Sequence, residues 1–345
     1  MRIIDSSDAS FGSIRELATE INAALSRRNK VNEGIGHSND IFLCHFLRHY
    51  YIHNHSFKNY KCRIVIQPID GTVIEPHHVK DLNQFDIIIT PAHAGEKIMR
   101  NCGVTSRIEV VPNYYDAMDV VAGDKVLHRN VLPQFDNKFL FYHESSLQVR
   151  KNVGTMIEAY LQAFSDNQLT EGVCLVIKGF GEAEFEKTKQ LAGLLRKKYK
   201  SPAKIFLISA NFSKDLLRKV WSTIDCYISL AHMEGFGIPL LRMAVNEKPI
   251  ITLRSEISGY MDFLNDRNTY FIESKKCKLS EEARLIFDPE KSHWEDVVSI
   301  EAAAGVMQGV YSDYLWKRLK VTRTELTNYR KDLVMRRYNE IIQGC

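Results

Sequence analysis

Short apolar runs alternate along the chain with longer stretches whose apolar positions recur every three to four residues. In the first part the runs fall at residues 2–4, 40–43, 63–67, 86–90 and 107–111. Residues 14–24 place Ile14, Leu17, Ala18, Ile21 and the adjoining Leu25 on one helical face. Residues 132–137 (LPQFDN) combine proline with polar side chains and predict a linker. A second series of runs follows at 139–142, 173–177, 205–208, 226–229 and 249–252, with helical stretches at 153–164, 182–199, 214–222 and 239–245. From residue 301 onward the pattern is helical throughout. Strand and helix alternating on both sides of a linker predict an α/β chain of two parallel-sheet, Rossmann-like domains. A ligand is expected in the cleft between them, at the carboxyl ends of the strands.

The 345 residues fit roughly two domains of about 150 residues. Hydrophobic residues make up 45% and charged residues 26%, which excludes a disordered chain. No apolar run reaches the roughly 18 residues that span a bilayer, so no stable membrane insertion is expected. The first residues lack a basic-then-apolar layout, and a mature cytoplasmic protein is expected. The net charge of +4 is small for a nucleic-acid binder. Residues 1–140 hold 16 basic and 16 acidic side chains, and residues 141–345 hold 30 and 26, so the whole excess lies in the second half and tail.

Seven cysteines with wide spacing and no C-x-x-C predict neither a disulfide frame nor a zinc ribbon. His45, His49 and His53 lie four apart, as on one face of a helix. No carboxylate or cysteine stands at a matching offset, so no metal is assigned. Their aromatic neighbours favour a partly buried helix or strand-loop, with His45 and His49 as candidate contacts for an acceptor.

The most informative segment is residues 232–247, HMEGFGIPLLRMAVNE, after the apolar run CYISL. Gly235 and Gly237 permit a tight turn and close approach of a ligand. Pro239 suits a first helical turn. The N–H groups of Phe236, Gly237 and Ile238 then point out of a helix N-terminus, a place for an anion. Glu234 stands just before it, placed to accept hydrogen bonds from hydroxyls. Arg150 and Lys151 follow another apolar run, FLFY, after a short loop.

Residues 203–237 resemble the core signature of retaining GT-B glycosyltransferases of the glycosyltransferase family 4 type. Four further segments are similar in the same order: 86–104 (DIIITPAHAGEKIMRNCGV), 107–116 (RIEVVPNYYD), 149–164 (VRKNVGTMIEAYLQAF) and 175–182 (LVIKGFGE). The resemblance covers residues 63 to 272. It implies a GT-B fold, with an acceptor-binding domain at 1–133, a donor-binding domain at 138–300 and helices at 301–345 that cross back to the first domain. It implies transfer of a hexosyl or pentosyl group from a nucleotide sugar, with retention, without metal and without a cofactor. The donor diphosphate would meet Arg150 and Lys151, and Glu234 would hold donor-sugar hydroxyls. Gly12, Gly235, Phe236, Gly237, Ile238, Pro239, Leu240 and Arg242 would line the donor site, with Asp70 and Asn113 on the acceptor side.

The match breaks at Arg242, where the family usually carries a second glutamate that holds the donor ribose. An arginine has only donors and cannot accept from a diol. The donor presents an extra acceptor there, the ribose is held another way, or the site has decayed. The early glycine loop is reduced to ASFGS around Gly12, and a His–Asp pair is replaced by QPIDG, which keeps Asp70. The acceptor stays open between a saccharide, a lipid-linked sugar and a modified DNA base. A non-catalytic nucleotide-sugar-binding protein is a second class. A Rossmann dehydrogenase, prompted by Gly179-Phe180-Gly181, is a third, although its third glycine is missing.

Overall fold

The computed structural model describes residues 2–5, 19, 21–23, 30–32, 40–45, 57–121, 135, 137–279, 287–288, 290–319 and 326–345. Gly12, His49, His53 and most of the expected 14–24 helix and 132–137 linker lie outside them.

The first sheet comprises β1 (Arg2–Asp5), β2 (Lys30–Asn32), β3 (Ile41–His45), β4 (Cys62–Ile66), β5 (Ile87–Thr90) and β6 (Arg107–Val110), in the order β2-β1-β3-β4-β5-β6. Every pairing is parallel. Its central strands are mostly apolar because both faces are covered. One face, with Phe42, Val65 and Ile88, packs against Ile98 and Met99 of a helix at His93–Asn101 (α2), which follows the shorter α1 at Pro76–Leu82. Ile41, Leu43, Ile64, Ile87 and Ile89 point the other way.

The second sheet contains β7 (Phe139–Ser145), β8 (Val173–Gly179), β9 (Lys204–Ile208), β10 (Cys226–Ser229), β11 (Ile250–Arg254), β12 (Thr269–Lys278) and β13 (His293–Val297), in the order β13-β12-β11-β10-β7-β8-β9. All neighbours are parallel except β12 and β13, which pair antiparallel. Helices α3 (Val153–Phe164), α4 (Glu182–Arg196), α5 (Lys214–Thr223) and α6 (Ile238–Val245) connect the central strands. Phe135, inside the expected linker, is buried in the core on the α5 and α6 side.

The tail corrects the expectation of continuous helix. It forms α7 (Ile300–Leu315) and α8 (Lys331–Gln343), and α7 ends before Lys317, whose φ of 53° is left-handed. Ala303, Met307, Val310 and Tyr311 of α7 pack beside α3 on the second sheet, so α7 does not cross back. Val334, Met335, Tyr338, Ile341 and Ile342 of α8 cover the remaining face of the first sheet. Each fully buried side chain of this kind contributes about 2 kcal/mol. Arg337 Nη2 adds an ion pair to Glu109 of β6 at 2.8 Å.

Two further expectations are corrected. Cys345 is disulfide-bonded to Cys62, across 283 residues of sequence and a Cα separation of 5.8 Å. A pairing over that span joins α8 to β4 and is invisible in cysteine spacing. His45 is the last residue of β3 and is 4% exposed, so it is on no helix face and on no open acceptor surface. Among the described residues, no helix is long and apolar enough to cross a membrane.

Candidate active site

Strand β7 ends at Ser145, and the chain turns through Leu147 in a left-handed conformation (φ 56°) into a short 3-10 turn, Val149–Lys151. Asn152 is again left-handed (φ 52°), a conformation asparagine tolerates well, and α3 begins at the next residue. Its amide donates to Asp296 Oδ1 at 2.8 Å. These reversals aim Arg150 and Lys151 at the end of β10.

There the segment after β10 supplies Glu234. Lys151 Nζ donates to Glu234 Oε1 at 2.6 Å, and Arg150 Nη1 donates to Glu234 Oε2 at 3.2 Å and to the Met233 carbonyl at 2.8 Å. The Glu234 main chain is held on both sides: its N–H donates to Ser258 Oγ at 3.1 Å, and its carbonyl accepts the Gly259 N–H at 2.8 Å. From the first sheet, Asp70 Oδ1 accepts the Gly235 N–H at 3.1 Å, and Asp70 Oδ2 lies 3.6 Å from Arg150 Nη2. Two cations and two carboxylates thus meet where the two sheets face each other. Asp70 is the most open of the four at 38% side-chain exposure, against 12% for Glu234.

Burial pushes the Glu234 carboxyl up, but the charges of Lys151 and Arg150 outweigh it and hold the group below its ordinary 4.5. Burial and the neighbouring Arg150 lower Lys151, against the pull of Glu234. Beneath them His143 donates from Nδ1 to Ile228 O and accepts at Nε2 from the Ser145 hydroxyl, at 2.8 Å each. Burial lowers it to about 4, so it is neutral at pH 7. Because the folded value of Glu234 is depressed, its contribution to stability is present above 4.5 and lost as pH falls through the folded value. Urea unfolding across the acid range should therefore lose more stability in the wild type than in Glu234→Gln. Equal losses would show that the pairing carries no linkage.

Gly237 (φ 92°) is the N-cap of α6, with Ile238 and Pro239 in its first turn. The Phe236 side chain is buried against Phe263 and Tyr329, and Leu240 is buried beneath the turn. Their side chains belong to the core. Asn113 is buried in the turn after β6, and among the described residues its Oδ1 has no hydrogen-bond partner.

Arg242 lies one turn into α6. Its guanidinium sits over Trp221, 5.4 Å from the ring centroid, and its Nε is 3.7 Å from Asp119 Oδ2. Asn246 reinforces the contact by donating to the Asp119 carbonyl at 2.8 Å. These bonds tie α6 to the segment leaving the first sheet, a role that the isolated arginine gave no signal for. The sequence also left unmarked Ser258, Trp294 and Asp262, the last of which accepts the His93 N–H at 2.9 Å across the two halves.

Gly259 is the tightest point of that junction. A Cβ there would lie 2.3 Å from the Gly235 oxygen and 2.6 Å from Cβ of Ala92. Backbone cannot yield as a side chain does, so Gly259→Ala should cost about 3 kcal/mol, the upper part of the range for overpacking. Thermal unfolding checks this, and an unchanged midpoint would contradict the close approach.

Two parallel-sheet α/β units with this topology, in contact through the segments that follow β4 and β10, define the GT-B fold. Residues 124–293 match the family Glycosyl transferases group 1. The whole chain is similar in structure to Anabaena HepE, solved in complex with UDP and glucose, with a TM-score of 0.71, 11% identity, and 100% of this chain and 99% of that one covered. A Burkholderia multivorans α,α-trehalose-6-phosphate synthase gives 0.66 at 10% identity, over 97% of this chain and 76% of that one. The pneumococcal O-GlcNAc transferase GtfA, in complex with UDP and GlcNAc, gives 0.62 at 12% identity, over 97% and 60%. No curated protein matches in sequence. The chain is a glycosyltransferase of the GT-B fold, and the dehydrogenase alternative falls: Gly179 is packed against Leu147 in the core of the second sheet.

Proposed function

We propose that the protein transfers a sugar from a nucleoside-diphosphate sugar to an acceptor hydroxyl, with retention and without a metal or cofactor, as in glycosyltransferase family 4. The observation that carries this is the Arg150–Lys151–Glu234 cluster beside the N-terminus of α6. UDP in the HepE and GtfA complexes makes a UDP-sugar the donor to test first. Residues 138–300 would hold the donor and 1–133 the acceptor.

In this reading the glycosidic bond to the diphosphate breaks and a bond from the acceptor oxygen forms on the same face. The acceptor proton passes to the departing phosphate oxygen. Arg150, Lys151 and the N–H groups of Phe236, Gly237 and Ile238 offset the charge that develops on the leaving group. Glu234, already oriented by both cations, accepts hydrogen bonds from donor-sugar hydroxyls. Asp70 and Asn113 face the acceptor, which is a saccharide, a lipid-linked sugar or a modified DNA base. Arg242 is committed to Asp119 and Trp221, so its influence on donor choice would run through the Asp119 segment. A non-catalytic binding protein is the second reading, favoured by Arg242 alone. Release of UDP from a panel of UDP-sugars decides between them: turnover supports the transferase, and binding without turnover across the panel supports the second.

A further inference from the structure

Trp294 stands in β13, the antiparallel edge strand, and is 3% exposed. Its indole N–H donates to the main-chain oxygen of Asp70 at 2.8 Å. Its ring lies parallel to that of His232, with 5.4 Å between centroids and 13° between planes. His232 in turn donates its main-chain N–H to the Arg150 carbonyl at 2.9 Å and accepts the Glu295 N–H at 3.1 Å. One indole therefore connects the loop that carries Asp70 with the residue that fixes the Arg150 main chain.

The rest of the β12–β13 hairpin grips the same two segments. Thr72 and Val73 donate their main-chain N–H groups to Ser292 Oγ at 2.7 and 3.1 Å. The His293 N–H donates to Thr72 Oγ1 at 2.9 Å, and Asp296 holds Asn152. The direct bond between Asp70 and Arg150 is by contrast loose at 3.6 Å, and Asp70 is more than a third exposed. Such pairs hold position weakly by themselves.

We infer that Trp294 is a positioning residue, its indole N–H setting the Asp70 carboxylate against Gly235 and Arg150 while its stack on His232 keeps both in one frame. The inference rests on the proposed acceptor-side role of Asp70. Loss of the indole N–H leaves the Asp70 carbonyl short of a donor and frees the loop, while the donor-side cations stay in place.

The test is Trp294→Phe, which keeps an aromatic ring over His232, with hydrolysis of UDP-glucose and calorimetric binding of UDP as readouts. The kcat should fall about tenfold, as expected for one hydrogen bond of about 1.4 kcal/mol, while KM and the UDP Kd change less than about twofold. In an Asp70→Asn background the same substitution should change kcat less than about twofold, because the two act as one unit. Ser292→Ala, which frees the loop from the other side of the hairpin, should repeat the kcat-only loss and serves if Trp294→Phe fails to fold. Wild-type kcat in a folded variant, an equal loss in the Asp70→Asn background, or a parallel loss of UDP binding would overturn the inference. Absence of any turnover by the wild type would overturn the proposed function as well.

Discussion

Lys151→Met lowers donor turnover by about 10³-fold, the loss expected when one preorganised stabiliser of developing charge is removed. The side chain is nearly buried, and its ammonium group is held 2.6 Å from Glu234, so little reorganisation is needed when the diphosphate departs. Methionine fills a similar volume and leaves Glu234 paired with Arg150. Breaking a buried pair from one side costs about 3 kcal/mol, so a lower melting temperature should accompany the loss. Lys151→Arg, which keeps the charge, should recover part of both. Steady-state UDP release with a folding check by circular dichroism measures the effect, and a loss below tenfold in a folded variant would remove Lys151 from the leaving-group site.

Glu234→Gln separates binding from turnover. The carboxylate is the main counter-charge of Arg150 and Lys151, and UDP must compete with it for both. With glutamine in its place, UDP should bind about tenfold more tightly, a gain of about 1.4 kcal/mol. Turnover should nevertheless fall about 10²-fold, because the acceptor of the donor-sugar hydroxyls is weakened where the sugar must be aligned. Calorimetry with UDP and initial rates with UDP-glucose read the two effects separately. Parallel weakening of both would mean that Glu234 supports the loop and has no direct place in the reaction.

The central strands were legible because both faces of each sheet are covered, which makes 87–89 and 173–177 apolar without interruption. The hairpin was not. Thr269–Lys278 carries the exposed Glu273, Lys275, Lys276 and Lys278, and His293–Val297 carries Glu295 and Asp296, so the pair has the composition of a loop although Trp294 and Val297 are buried. The tail showed its helical period but not its division, since the break at Lys317 and the separate partners of α7 and α8 depend on surfaces far away in sequence. The cluster of Arg150, Lys151 and Glu234 was visible because each stands in a local pattern of strand, turn and helix. Asp70 could be named as a candidate, but its bond to Gly235 spans 165 residues and no spacing encodes it. Arg242 shows the opposite limit. Its departure from the family pattern was plain, while its partners Asp119 and Trp221 emerge only when α5, α6 and the connecting segment are packed together.

The most direct test of the whole account is the anomeric configuration of the glucose first released from UDP-α-glucose, followed by proton NMR in the presence of a chelator before mutarotation. Retention at a site that uses Arg150 and Lys151 to receive the diphosphate predicts α-glucose at a rate unaffected by the chelator. Release of β-glucose, or a reaction abolished by the chelator and restored by a divalent cation, would contradict it.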